Sequence, residues 1–296
     1  TKLMSLALVD AFRRWLPDAE IVYADTARGR LASVTRKLDT PLASVLDLPT
    51  YLGACGAYLV GSASDEPDWR DRTAARADLS LWFAQQAGKL GAFFAQINAM
   101  ANLALDPHDD IRLVAPEQRF RQPLRQPWLR AAEKACEAGL IELDADLCTV
   151  RFTSAAAAAY LRGGWLEEYA WQCARVLAPE YAGCGVHVEW EGSARSLPGR
   201  NELDLVLVHA NRMLVAECKT GRFGRNTHAG AEQEVLNKLD ALSRHAAGVL
   251  GRTLLLSAWE LGDAALDRAA HYQIIVLDGD RLRQLPQTIG EWMAGK

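Results

Sequence analysis

The run Asn201-Glu-Leu-Asp-Leu-Val-Leu-Val-His-Ala-Asn-Arg-Met-Leu-Val-Ala-Glu-Cys-Lys-Thr-Gly221 constrains this chain more than any other stretch. Leu203, Leu205 and Leu207 alternate with Asp204, Val206 and Val208, and nearly every residue is aliphatic or β-branched. That is the pattern of a strand buried on both faces. His209-Ala-Asn-Arg212 reads as a tight turn and Met213 to Cys218 as a second apolar strand. Asp204, Glu217 and Lys219 interrupt this apolar context. A charge in such a strand is costly unless it is paired or holds a metal. Across the turn, Asp204 sits opposite the Glu217 region, and Glu217 and Lys219, two residues apart, share a face. Two carboxylates and one ammonium are therefore expected to converge.

That combination suits metal-assisted hydrolysis of a phosphodiester. The carboxylates of Asp204 and Glu217, with the backbone carbonyl of Ala216, make a hard-oxygen site for Mg²⁺ or Mn²⁺. Such an ion polarises a phosphoryl oxygen and lowers the pKa of a bound water. Lys219 would orient that water or stabilise charge developing on phosphorus. The alternative is a buried structural Asp/Glu–Lys cluster. Three such residues on consecutive apolar strands favour the functional reading.

Asp204 followed by Glu217-Cys-Lys219 resembles the D…(D/E)xK signature of the PD-(D/E)xK restriction-endonuclease-like superfamily. The fuller strings Glu217-Cys-Lys-Thr-Gly221 and Gly163-Gly-Trp-Leu-Glu-Glu-Tyr169 resemble a narrower group, the CRISPR-associated nucleases that join a CARF sensor domain to this nuclease. That resemblance implies a homodimer that cleaves DNA and/or RNA in type III antiviral defence and is switched on by cyclic oligoadenylate. It also places an active-site glutamate on the helix from Trp165. Glu167, one turn before the apolar-stripe residue Ala170, is the first choice and Glu168 the second. Carboxylates in a first turn are otherwise favoured simply by the helix dipole. Lys238 is expected to face the site. Thr1, Lys2 and Met4 resemble the remainder of a Gly-Gly-Thr-Lys-Met-like stretch whose helix start holds the effector's phosphates, consistent with the anion affinity of helix N-termini. Asp25 and Thr26, at the C-terminal end of a strand, lie where ligands sit in open α/β sheets.

A length of 296 residues suggests two or three domains. The net charge of −4 gives no global basic footprint, so nucleic-acid contact must come from a local patch. The six cysteines are widely spaced with no CxxC, and they read as reduced core residues of a cytoplasmic protein. No apolar run is long enough to span a membrane, and no signal peptide is evident. The scattered histidines argue against a His-based zinc site.

The expected fold class is α/β in three parts. Residues 1–60 read as the C-terminal part of a Rossmann-like CARF sensor, 61–162 as a helical, winged-helix-like linker, and 163–296 as the nuclease. The opening helix lacks its own N-cap, and one helix with two strands buries no core alone. The front of the sensor is therefore expected to precede Thr1. Residues 62–71, with Pro67, read as a loop. Residues 74–105 read as a long helix interrupted near Gly88 and Gly91, with Trp82, Phe83, Phe93 and Phe94 as core. Residues 106–110 read as a break. A helix over 126–138 and strands over 140–143 and 149–152 form the winged module. Its Arg119, Arg121, Arg125 and Arg130 suit nucleic-acid binding, and at least as well a solvated face or a packing linker. From Trp165 the order is αβββαβαβ. The loop after Lys219 carries Arg222 and Arg225, which either steer a phosphate backbone or decorate an exposed connection. The rival reading is a winged-helix DNA-binding regulator on a non-catalytic, nuclease-like scaffold. A third is a nuclease of the same superfamily that needs no effector.

Overall fold

A computed structural model describes residues 2–25, 29–33, 35–36, 39–190, 200–221, 230–242 and 251–295. The chain opens with α1 (Lys2–Trp15) and a three-stranded antiparallel sheet of β1 (Val22–Asp25), β2 (Arg30–Ser33) and β3 (Asp39–Pro41). Leu6, Leu8, Phe12, Trp15 and Tyr23 of this opening are exposed. Helix α2 (Leu48–Ala54) starts where the Asp47 carboxylate accepts the Thr50 N–H at 2.9 Å, an N-cap that satisfies a donor the helix cannot. Strand β4 (Ala57–Ser62) follows.

Three helices come next: α3 (Pro67–Ala75), α4 (Ala77–Gln85) and α5 (Ala87–Ala104). The loop expected over 62–71 is a 3-10 turn and the start of α3. Pro67 occupies the first helical turn, where its missing N–H is no loss. The breaks in the long helical stretch fall at Arg76 and Gln86, not at the glycines. Gly88 and Gly91 lie inside α5 because a Cβ at Gly91 would stand 3.2 Å from the Trp259 ring and 3.3 Å from the Ala258 carbonyl. They are packing glycines. The expected break at 106–110 is the turn of a hairpin, β5 (Leu105–Asp106) with β6 (Asp109–Leu113).

Strands β7 (Glu117–Arg119), β8 (Ile141–Leu143) and β9 (Thr149–Phe152) form a small sheet beside α6 (Trp128–Glu137); α6 and the β8–β9 hairpin lie where the sequence placed a helix and two strands, and β7 adds a third strand. Phe83, Phe93 and Phe94 are core, and the Phe94 ring stacks on Trp165 with centroids 4.6 Å apart. Helix α7 (Ala155–Ala159) passes through a π-turn (Tyr160–Gly164), kinked at the non-helical Gly163, into α8 (Trp165–Leu177).

After α8 come β10 (Tyr181–Trp190), β11 (Arg200–His209), β12 (Arg212–Lys219), α9 (Gly230–Leu242), β13 (Gly251–Ser257), α10 (Asp263–His271) and β14 (Ile274–Asp278). This is the αβββαβαβ order read from periodicity, and α11 (Leu285–Met293) closes the chain. The strands form one mixed sheet in the order β14-β13-β12-β11-β10-β4. The central hairpin turns through Ala210 and Asn211 at φ 49° and 60°, with His209 opposite Arg212. Two left-handed residues give the turn whose twist matches its strands.

Both faces of the sheet are covered. Leu205, Leu207, Leu214 and Ala216 pack in the core with Phe94, Trp165 and Ile289. Val206, Val208, Met213 and Val215 pack with Leu48, Tyr51 and Leu52 of α2. Leu255 packs with Leu236, Leu239 and Ala265 of α9 and α10. One departure from strict alternation matters: Leu203 lies in the α2 cluster although Leu205 lies in the opposite one. The slip falls at Asp204, beside the left-handed Gly185 (φ 58°) of β10. The segment from α2 to β4, which the sequence groups with the sensor-like start, is thus packed onto the sheet that carries the hairpin. Among the described residues all six cysteines are free, and no helix is long and apolar enough to cross a membrane.

Candidate active site

The hairpin ladder ends at the pair Leu205–Ala216, which puts Asp204 opposite Glu217. There the Asp204 side chain takes over from the backbone, its Oδ2 accepting the Cys218 N–H at 2.6 Å. Lys219 donates from Nζ to Glu217 Oε1 at 2.5 Å, and Lys238 of α9 reaches the same oxygen at 3.4 Å. Glu217 is buried, whereas Lys219 is about one-third exposed. Glu167, in the first turn of α8, joins Asp204 and Lys219 on the wall of a cleft of about 690 Å³.

Burial is the largest influence on both carboxyls of this wall. It pushes Asp204 up to about 7, with the Glu217 charge adding to it. It pushes Glu167 up to about 8, with the Asp204 and Glu202 charges adding. Burial pulls the Lys219 ammonium down, but the Glu217 carboxylate outweighs it and the net shift is upward. Burial and mutual repulsion thus disfavour the ionised forms of Asp204 and Glu167, and a bound cation would offset both. Among the described residues, no group of three or more His, Cys, Asp or Glu side chains is arranged to hold a metal ion. The donor chemistry, the carboxylate oxygens of Asp204 and Glu167 on the wall of an open cleft, fits a hard divalent ion.

Two of the expected ligands do not line the cleft. Ala216 sits within the ladder between Leu205 and Leu254, and Glu217 turns its carboxylate to Lys219 and Lys238. Glu168 does reach the cleft wall, but Arg76 at the α3–α4 junction holds both its carboxylate oxygens, one of them through Nε at 3.2 Å. Burial still raises the Glu168 carboxyl to about 7, with Arg76 opposing. Among the described residues, Glu167 is therefore the α8 carboxylate with no arginine bonded to it. Lys238 touches Glu217 from the face covered by α9. Asp25 lies at the end of β1, and the backbones of Lys2 and Met4 form the first turn of α1. Thr1, Thr26, Arg222 and Arg225 lie outside the described residues.

Among the polar cleft residues that sequence reasoning missed are Arg72, Arg76, Asn98, Arg162, Glu202 and Thr220. Thr220 stands inside the Glu-Cys-Lys-Thr-Gly string and Glu202 two residues before Asp204, so both were within reach. In the winged module, Arg130 is paired with Glu133 and Glu137 at 3.2 Å each, Lys134 with Glu137 at 3.4 Å, and Arg119 with Asp146 at 3.2 Å. Glutamates of α6 itself neutralise much of its basic surface.

Residues 154–296 match the family described as "Card1-like, endonuclease domain". Among solved structures, Can2 from Sulfobacillus thermosulfidooxidans in complex with cyclic tetra-adenylate is similar at a TM-score of 0.74 and 24% identity, covering 99% of this chain and 73% of that one. VC1899 from Vibrio cholerae is similar at a TM-score of 0.75 and 19% identity, covering 98% and 72%. No curated protein sequence matches. These findings agree with the resemblance drawn from the motif strings and with the α/β fold class.

Proposed function

We propose that this chain is a metal-dependent nuclease that hydrolyses phosphodiester bonds of DNA and/or RNA, controlled by cyclic oligoadenylate in type III CRISPR defence and working as a cytoplasmic homodimer. The observation that carries the reading is the meeting of Asp204, Glu167 and Lys219 on one cleft wall, inside the segment that matches an endonuclease family. Bound Mg²⁺ or Mn²⁺ would supply Lewis-acid polarisation and a water acidic enough to ionise near neutral pH. Asp204 and Glu167 would hold it. The Asp204 carboxylate is oriented by the Cys218 N–H. Lys219 stays protonated, because its partner Glu217 raises its pKa against the pull of burial. It therefore acts as a cation toward a non-bridging or departing phosphate oxygen and not as a base. Glu217, fixed by Lys219 and Lys238, sets where that ammonium stands.

Effector control draws on the fold shared with Can2, whose structure holds cyclic tetra-adenylate. Lys2, Met4 and Asp25, with Thr1 and Thr26, would take part in holding the corresponding ligand. Arg222, Arg225 and Lys238 would guide the substrate backbone. The test is a cleavage panel of single- and double-stranded DNA and RNA with Mn²⁺, with and without cyclic tetra-adenylate. Effector-dependent cutting that disappears in Asp204→Asn and Glu167→Gln is expected. Cutting that survives both substitutions would sink the assignment.

A further inference from the structure

We propose that Asn98, on α5 outside the endonuclease-matched segment, is a positioning residue that sets the spacing between Glu167 and Lys219. This rests on the nuclease reading of that cleft. The two functional side chains arrive on separate pieces of chain. Glu167 follows the π-turn that ends at Gly164, and Lys219 ends β12 just before Thr220. The pieces touch at Gly163 and Thr220, where a Cβ on Gly163 would lie 3.0 Å from Thr220 Oγ1. A side chain at Gly163 would crowd the Thr220 hydroxyl, so the glycine lets Thr220 sit close against this turn.

Three hydrogen bonds close the contact. Thr220 Oγ1 donates to the Arg162 carbonyl at 3.1 Å. Asn98 Nδ2 donates to that same carbonyl and, at 3.2 Å, to Thr220 Oγ1. A primary amide has two N–H donors, and here one goes to each side of the junction. The Asn98 Oδ1 is occupied as well, accepting from Asn102 Nδ2 at 2.9 Å. Asn98 therefore lines the cleft with no polar atom left over for a substrate. Thr220 is buried, and the adjoining Lys219 carbonyl accepts the Ala258 N–H at 2.9 Å. The end of β12 is thus gripped on both sides, by β13's exit and by Asn98. Removing one grip lets the first turn of α8 drift against Lys219, and a shift of about 1 Å in such a site is enough to slow chemistry roughly 100-fold.

The experiment compares wild type with Asn98→Ala, Asn98→Asp, Thr220→Val, Thr220→Ser and Lys219→Ala. It reads kcat and KM for Mn²⁺-dependent cleavage, melting temperature, and hydrogen exchange of the amides over 162–168 and 218–221. Asn98→Ala, Asn98→Asp and Thr220→Val should each lower kcat about 10- to 100-fold with KM changed less than about threefold. Exchange should quicken in both segments, and Thr220→Ser should keep the wild-type values. Thr220→Val preserves shape and fold, so it decides the matter if Asn98→Ala does not fold. Unchanged exchange in the two segments, or a kcat loss that follows melting temperature alone, overturns the proposal. Lys219→Ala reports on the underlying reading: if it cleaves like wild type, or neither cleaves, the nuclease assignment falls and the exchange data alone judge the role of Asn98.

Discussion

Asn211, in the turn of the central hairpin, holds the chain at Val45: its Oδ1 accepts the Val45 N–H at 2.7 Å. The same oxygen accepts the Leu46 N–H at 3.0 Å, and its Nδ2 donates to the Ala43 carbonyl at 2.7 Å. A buried amide thereby ties the segment after β3 to the hairpin that carries Asp204 and Glu217. Because Asn211 has φ 60°, Asn211→Gly keeps the backbone and removes only the side-chain bonds. We expect Asn211→Gly to lower unfolding stability by about 2–3 kcal/mol. Asn211→Ala should lose about 1 kcal/mol more from the left-handed backbone. Denaturant unfolding of the three proteins checks both the order and the size.

The Arg76–Glu168 pair joins the α3–α4 junction to the helix bearing Glu167, with side chains 11% and 5% exposed. Truncating one partner strands the other. Arg76→Met should destabilise by about 3 kcal/mol near pH 8. Without the arginine the carboxyl is pushed higher still, so the loss should shrink as pH falls toward about 7 and the carboxyl takes up a proton. Arg76→Met combined with Glu168→Gln should recover much of the loss. A double variant as unstable as Arg76→Met alone would contradict this.

Asp204 and Glu167 have folded-state pKa values raised to about 7 and about 8. A group raised on folding stabilises the fold when protonated, fully below its unfolded pKa, and that contribution is lost as pH rises through the folded value. The metal-free protein should therefore melt higher at pH 5.5 than at pH 8.5. Asp204→Asn should flatten the profile, melt higher than wild type at pH 8.5 and cleave nothing. Mn²⁺, which competes with these protons, should bind more weakly as pH drops. Thermal scans across pH with and without Mn²⁺ measure each part.

Lys219 and Lys238 share the Glu217 carboxylate, but only Lys219 lines the cleft. Lys219→Ala should cut kcat by about 100- to 1000-fold. Lys219→Arg should not restore it, because a planar guanidinium cannot take the ammonium's place at 2.5 Å from Glu217. Lys238→Ala should cost only a few-fold. Single-turnover rates at saturating Mn²⁺ separate the three.

The central hairpin, its double-sided burial and the order of elements after Trp165 were legible because they are local: period, turn residues and spacing. Asp204 and Lys219 were legible for the same reason. The site's supports were not. Arg76 meets Glu168 across 92 residues and Asn98 meets Thr220 across 122, and no periodicity encodes such meetings. Glu217 shows the limit within one strand. Two-residue spacing correctly paired it with Lys219, but nothing within the strand announces that Lys238, arriving on α9, reaches the same carboxylate oxygen. The basic run of the winged module read ambiguously because its neutralising glutamates sit three and seven residues further along α6.

The place of β4 has a practical consequence for anyone who would isolate the catalytic half. Trimming the chain at Ala63 would peel away the outermost strand together with α2, baring Val186, Val188 and Val206 and leaving β10 with open backbone donors and acceptors. Such a fragment would tend to stack edge to edge with its own copies and precipitate. A fragment begun near Leu46 would keep its own selvedge and stay dispersed.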